Sequence, residues 1–254
     1  MPTATTIDDV LAQLDAIVAH SVAHRNPHGA FAALYRRVTA AVKGKLNQHY
    51  FDDDARMERL DVVFANRYLE AWEARQAGKP TTHAWEVAFD AAQDTDKLLL
   101  QHLLLGMNAH INLDLGVAAA TICPGDRIHE LEADFNRINE LLLGLVDEVQ
   151  DNIRGVSPLI GLLDRFFKEK DEQFAGFSLK ATRLLAWQTA QRMAAIAPGP
   201  AQDAVIARAD QRIALVGRQL AGPRGMLAWV VRLIGWFETS DVSAQIRAVS
   251  ASTR

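Results

Sequence analysis

Cysteine is almost missing from this chain. Cys123 is the one thiol in 254 residues, so no intrachain disulfide can form and a disulfide scaffold is excluded. Aromatic residues make up 7%, and proline and glycine occupy only 8 and 15 positions, which excludes collagen-like and low-complexity chains. Neither sign of charge dominates: 27 basic against 31 acidic residues leaves −4, too near balance for a general nucleic-acid binder, and no such partner is expected. The opening MPTATTIDDV has neither the basic nor the apolar region of an export signal, which with the lone thiol points to the cytoplasm. No uninterrupted apolar run reaches the roughly 20 residues that span a bilayer, so no transmembrane segment is expected. What is present is an apolar share of 49%, enough for a sizeable core.

The apolar residues recur at helical spacing. Val10, Leu11, Leu14, Ile17 and Val18 follow Thr6, a candidate N-cap with Asp9 three positions on. Phe31, Leu34, Tyr35 and Val38 mark a second face over residues 30–48, and FDDDARMERL supplies acids at the start of a third helix running to Ala77. Gly78 and Pro80 end that helix, and Thr82 caps the next. A helix after Asp126 is ended by Gly155, and Ser157-Pro158 opens another over 158–172. Later helices fall at 179–196, 201–221, 224–237 and from about 241. No stretch alternates with the period of a half-buried strand. The expectation is an all-α single compact multi-helix bundle, about ten helices around a buried central one at about 97–118. Pro198-Gly199-Pro200 is the best boundary, giving a helical domain at 1–197 with C-terminal helices at 198–254 packed on it as part of the same domain. Residues 201–254 hold seven Arg, no Lys and four acids, a balance of +3 against −7 for the rest.

The segment QHLLLGMNAHINLDLG is the most informative. His102, Gly106, His110 and Asp114 stand four apart, on one drifting track, while leucines, Met107 and Ile111 point in nearly every other direction. A helix apolar all round is a buried one, so its polar side chains need partners or something to coordinate. His110 and Asp114 at i, i+4 suit two ligands of a single divalent metal, or a carboxylate that orients a histidine. The bland alternative is mutual satisfaction between packed helices, with Asn108 and Asn112 on neighbouring backbone. Gly106 lets a ligand or another backbone come close. Partners for a pocket must come from other helices: Arg59, Asp61, Arg67 and Tyr68 in MERLDVVFANRY, Asp90, and Asp134, Asn136 and Asn139 in ADFNRIN. His20, His24 and His28 look like a ligand ladder, but Pro27 breaks it, and surface histidines at a helix end fit better. Cys123 has no base near it in sequence and suits a small buried position. MLAWVVRLIGWFE, with Arg232 its one interior charge, suits core packing or the face of a homo-oligomer.

In this order, FDDDARMERLDVVFANRYLEA, the Trp85–Asp90 segment, QHLLLGMNAHINLDLG and DFNRIN resemble an uncharacterised bacterial family, domain of unknown function 5995, over about residues 30–195. The resemblance implies an all-helical domain and no established activity. GMNAHINLDL is also similar to the central metal-binding helix of the zinc-dependent phospholipase C and P1-type nuclease families. Their further His-x-x-x-acid pair has no counterpart on a clear helix here, since His49–Asp53 falls in a turn-like stretch and Ala133 follows His129. A trinuclear zinc site is therefore not expected.

Three readings follow. An enzyme would use a cleft in which His110, Asp114 and His102 are catalytic, Arg59, Asp61, Asn108 and Asn139 bind a small-molecule substrate, and hydrolysis or proton transfer is the chemistry, with or without one metal on His110 and Asp114. A binding protein would use the same cleft for an apolar ligand. An interaction scaffold would keep the polar network wholly structural.

Overall fold

A computed structural model of the chain describes residues 1–162 and 179–251, and within them the protein is all-helical with no strand. Eleven α-helices are described: α1 (Ile7–His24), α2 (Gly29–Lys43), α3 (Asp54–Gln76), α4 (His83–Ala91), α5 (Leu99–Ala109), α6 (Leu115–Ile122), α7 (Glu132–Ile153), α8 (Leu179–Ala194), α9 (Pro200–Ala221), α10 (Met226–Phe237) and α11 (Val242–Ser250). A π-helical turn, His110–Asp114, joins α5 to α6, and a 3-10 segment, Gly125–Leu131, leads into α7.

Local chemistry sets most of the ends. Thr6 accepts from the Asp9 amide at 3.1 Å while Asp9 accepts from the Thr6 amide at 3.0 Å, the reciprocal box that ties down two free N–H groups. Asp53 caps α3 by accepting from the Arg56 amide at 2.8 Å, and Thr82 caps α4. Gly78 takes φ 65° just past α3, a left-handed residue that lets the chain turn back onto the last carbonyls. After Ser157, residues 158–160 form turns and residues 161–162 are helical, and the rest of the 158–172 helix lies outside the described residues.

Helix α5 begins without a capping side chain of its own at Leu98. Its first amides are met by side chains further on: Gln101 Oε1, in the same helix, takes the Leu98 amide at 3.0 Å, and Glu238, just beyond α10, takes that of Leu99 at 2.7 Å. From there α5, the π turn and α6 form one continuous rod, Leu99–Ile122, of 24 residues. It is long and apolar enough to cross a membrane, yet 78% of its most apolar window is buried inside the protein, which makes it the core helix that the all-round apolar pattern implies. Helices α2, α4 and α9 pack along α5, α3 and α8 along α6, and α3, α8 and α9 reach the π turn between them.

Gly106 is where α5 meets α2. A Cβ there would overlap the ring of Phe31, which is 2% exposed and held among other rings, so it cannot swing aside. Gly106→Ala is expected to destabilise the protein by about 1–3 kcal/mol through overpacking, outweighing the helix-propensity gain of about 1 kcal/mol. A Tm equal to or above that of the wild type would show that the contact yields.

Two further polar knots hold the frame. Asp134 is fully buried and accepts from the Asp52 amide at 2.7 Å, Arg56 at 2.9 Å and Arg137 at 2.6 Å, pinning the start of α3 to α7 rather than facing the central helix. Asp210 on α9 accepts from the amides of His83 and Ala84, both at 2.8 Å, and seats the start of α4. At the C-terminal end α11 packs on α1, α2 and α7, while α10 turns Leu227 and Ile234 inward and leaves Trp229 at 69% and Trp236 at 73% exposure.

Candidate active site around His110

The π turn holds the two residues singled out by their i, i+4 spacing. A π turn widens the helix by an extra residue and so departs from the uninterrupted α-helix that the spacing assumed; such turns are frequent at functional sites. Asp114 is 1% exposed, and both of its oxygens are engaged. Arg67 Nε on α3 donates to Oδ1 at 2.8 Å, Trp85 Nε1 on α4 donates to Oδ2 at 2.8 Å, and His110 Nδ1 lies 3.3 Å from the same Oδ2.

A carboxylate only accepts, so the contact places the His110 proton on Nδ1 and leaves Nε2 as a bare lone pair. Burial pushes the His110 pKa down, opposed by Asp114 and aided by Arg67, so the ring is neutral at pH 7. Aromatic side chains fix its plane: Phe64 stacks on it at a centroid distance of 3.6 Å and Tyr35 meets it edge-on at 4.4 Å, with Phe31, Tyr68 and Trp85 beyond. Nε2 is buried and has no hydrogen-bond partner.

His110 lines a cavity of about 80 Å³ whose wall is mostly apolar, built from α2, α3, the central rod, α7 and Arg183 of α8. Asp61 stands on the same wall, 8% exposed, with Oδ2 unpartnered. Burial, with the negative charge of Glu58 nearby, raises its pKa to about 7, so near neutrality it can hold a proton. Tyr35 is also on the wall, and burial raises its hydroxyl pKa well above the usual value.

The structure thus brings His110, Asp114 and Asp61 together and separates the other candidates. His102 lies instead on a second, more polar cleft of about 670 Å³, among Lys97, Gln101, Arg232 and Glu238, where burial lowers its pKa to about 4. Arg59 is exposed and lines neither cavity. Asn108 is structural: its amide donates to the Ile213 carbonyl at 3.0 Å and its oxygen accepts from Asn112 at 2.9 Å, tying the rod to α9. The side chain of Asn139 lies outside the described residues. For the metal reading, no three His, Cys, Asp or Glu side chains are grouped to hold an ion among the described residues, and Asp114 is already occupied by nitrogen donors.

Spacing missed Tyr35, Phe64 and Trp85 as parts of the site; each had been only one apolar position among many. Nor did it place His28 in the interior. His28 is 2% exposed, enclosed by Phe31, Tyr68, Trp72, Trp85 and Phe89, and its pKa falls to about 3 by burial. His20 and His24 are exposed, their rings stacked at 4.1 Å.

Fold and site together define an all-helical protein whose buried histidine–carboxylate pair borders a small apolar cavity. The chain belongs to the family described as Family of unknown function (DUF5995), whose model matches residues 7–223. The match begins earlier and ends later than the 30–195 resemblance, so the part outside it shrinks from about 55 residues to the segment holding α10 and α11. No match is found among curated proteins or solved structures.

Proposed function

We propose that the protein carries out proton-transfer chemistry on a small, largely apolar molecule in the His110 cavity, with His110 as the base. One observation carries this reading: His110 lines the cavity, and its Nε2, on a neutral, oriented ring, is buried without a partner, where an unpaired buried acceptor costs about 1–3 kcal/mol unless something uses it. Asp114 positions the ring through Nδ1 and holds the proton there. Asp61, with its raised pKa, is the matching proton donor. The apolar wall excludes water, which favours rearrangement by proton transfer over hydrolysis. The reading uses no metal, because a metal on Asp114 would have to displace Arg67 or Trp85. The lone buried thiol of Cys123 supports a cytoplasmic setting.

The same wall favours a second reading, binding of an apolar ligand without chemistry. Ring-nitrogen NMR on histidine-labelled protein separates the two. At pH 7 Nδ1 of His110 is expected to be protonated and Nε2 bare. Butan-1-ol should then shift the Nε2 resonance, while 1-chloropropane, which has no donor, should leave it in place. An equal response to both supports the ligand-binding reading, and a protonated Nε2 overturns the base assignment.

A further inference from the structure

One more polar group stands on the wall of the His110 cavity, and neither the base nor the acid assignment uses it. Arg183, on α8, is 4% exposed. Its Nη2 donates to the Phe135 carbonyl at 2.7 Å, and its guanidinium lies 4.3 Å from the centroid of the Phe135 ring. Nε has no partner, and no carboxylate pairs with the guanidinium among the described residues. The other deeply buried arginines differ: Arg56 is paired with Asp134 at 2.9 Å, and Arg37 with Glu148 at 2.5 Å. Asp61, the one acid on the described cavity wall, does not serve as counter-ion, since its pKa is set by burial and Glu58 and is displaced upward, the opposite of what a neighbouring guanidinium does.

A buried cation without a counter-ion is strongly unfavourable, and removing one partner of a buried pair ordinarily costs several kcal/mol. Here the missing partner has a place to sit, because Arg183 lines a cavity rather than standing wholly in packed core. We infer that the cavity takes a short-chain monocarboxylate, its carboxylate on Arg183 and its hydrocarbon body along Leu142, Leu145 and Ile138 toward His110. The inference rests on the reading of this cavity as the working site, and names the class of molecule it holds. The planar fork of an arginine suits a carboxylate in two-pronged contact. Size points the same way: at about 80 Å³ the cavity is smaller than the roughly 150 Å³ apolar cavity that accepts benzene, so on the order of six heavy atoms is the upper limit without expansion.

The test is titration calorimetry of the full chain with butyrate and with butan-1-ol, of the same body but without the charge. Butyrate is expected to bind the wild type about tenfold or more tightly than the alcohol. Arg183→Met, which keeps an unbranched apolar side chain, is expected to abolish that preference while butan-1-ol binding persists, and Arg183→Lys to restore part of it. Equal affinities for the two probes, or a butyrate preference that survives Arg183→Met, overturns the inference and leaves the cavity reading intact. Failure of both probes to bind the wild type overturns the cavity reading and the inference with it. Should Arg183→Met not fold, competition decides: butyrate displaced from the wild type by butan-1-ol at no more than equal concentration counts against the anion site.

Discussion

Asp114→Ala is expected to lower the stability of the protein by about 3–5 kcal/mol, the largest loss from any single substitution considered for this site. The carboxylate is 1% exposed and takes three N–H groups from three parts of the fold: Arg67 from α3, Trp85 from α4 and His110 from its own turn. Truncation leaves Trp85 Nε1 and His110 Nδ1 without an acceptor in a dry interior, and leaves Arg67, 27% exposed, to find water on its own. Helix α4 is short, and with Trp85 only 1% exposed its seating depends on that indole contact. Asp114→Asn keeps the volume and one accepting oxygen, so a loss about half as large is expected, since charged hydrogen bonds are roughly twice as strong as neutral ones. Equilibrium unfolding in urea measures both, and a loss under about 1 kcal/mol for the alanine variant would show that the network does not hold the helices. The same variant also frees the His110 proton to move to Nε2, so ring-nitrogen NMR on Asp114→Asn should show a mixed tautomer where the wild type shows one.

How far this site was legible depended on the range of the interactions. The central rod was visible because burial all round leaves a local mark, apolar residues in every direction over about six turns, and Thr6 and Thr82 were legible as starts because a cap is satisfied within three residues. The His110–Asp114 pair was visible for the same reason. The π turn was not: its extra residue leaves no mark in a pattern read at a constant angle per residue. His102 was grouped with His110 because both sit on one helix eight residues apart, but the rod is long enough for its two ends to face different cavities. Arg183 lay beyond reach altogether. Nothing adjacent to it in the chain shows that Phe135, 48 residues earlier, would bury it. His28 illustrates a different failure, in which Pro27 broke the ladder as expected but the chain then turned the ring into a cage of residues drawn from α2, α3 and α4.

His28 also governs the second large effect, the response to acid. A histidine whose folded pKa lies below its unfolded value of 6.5 contributes stability that is fully present above pH 6.5 and is lost as pH falls toward the folded pKa, because only the unfolded chain takes up the proton. For His28, at about 3 in the folded protein, the full loss is up to about 5 kcal/mol, and for His102, at about 4, about 3 kcal/mol. His110 adds to the loss in the same direction. Asp61 opposes them. Its folded pKa of about 7 exceeds the unfolded 3.8, so its contribution is fully present below pH 3.8 and is lost as pH rises through 7, a span of about 4 kcal/mol. Falling pH therefore stabilises the protein mainly through Asp61 until proton uptake by the histidines of the unfolded chain outweighs it, which sets a maximum of stability near pH 7 and a net decline below it. His28→Phe replaces the buried ring with one that cannot be protonated, in a cage already built of aromatic side chains. In that variant Asp61 offsets the loss from His102 between pH 6.5 and 4 and the loss from His110 remains, so the fall in stability there is expected to be about 3 kcal/mol smaller than in the wild type. Asp61→Asn should do the reverse, steepening the acid loss and removing the decline above pH 7. Unfolding free energies measured by urea titration across pH 4 to 8 distinguish the three proteins. An acid loss in His28→Phe as steep as in the wild type would place the uptake of protons elsewhere than in this cage.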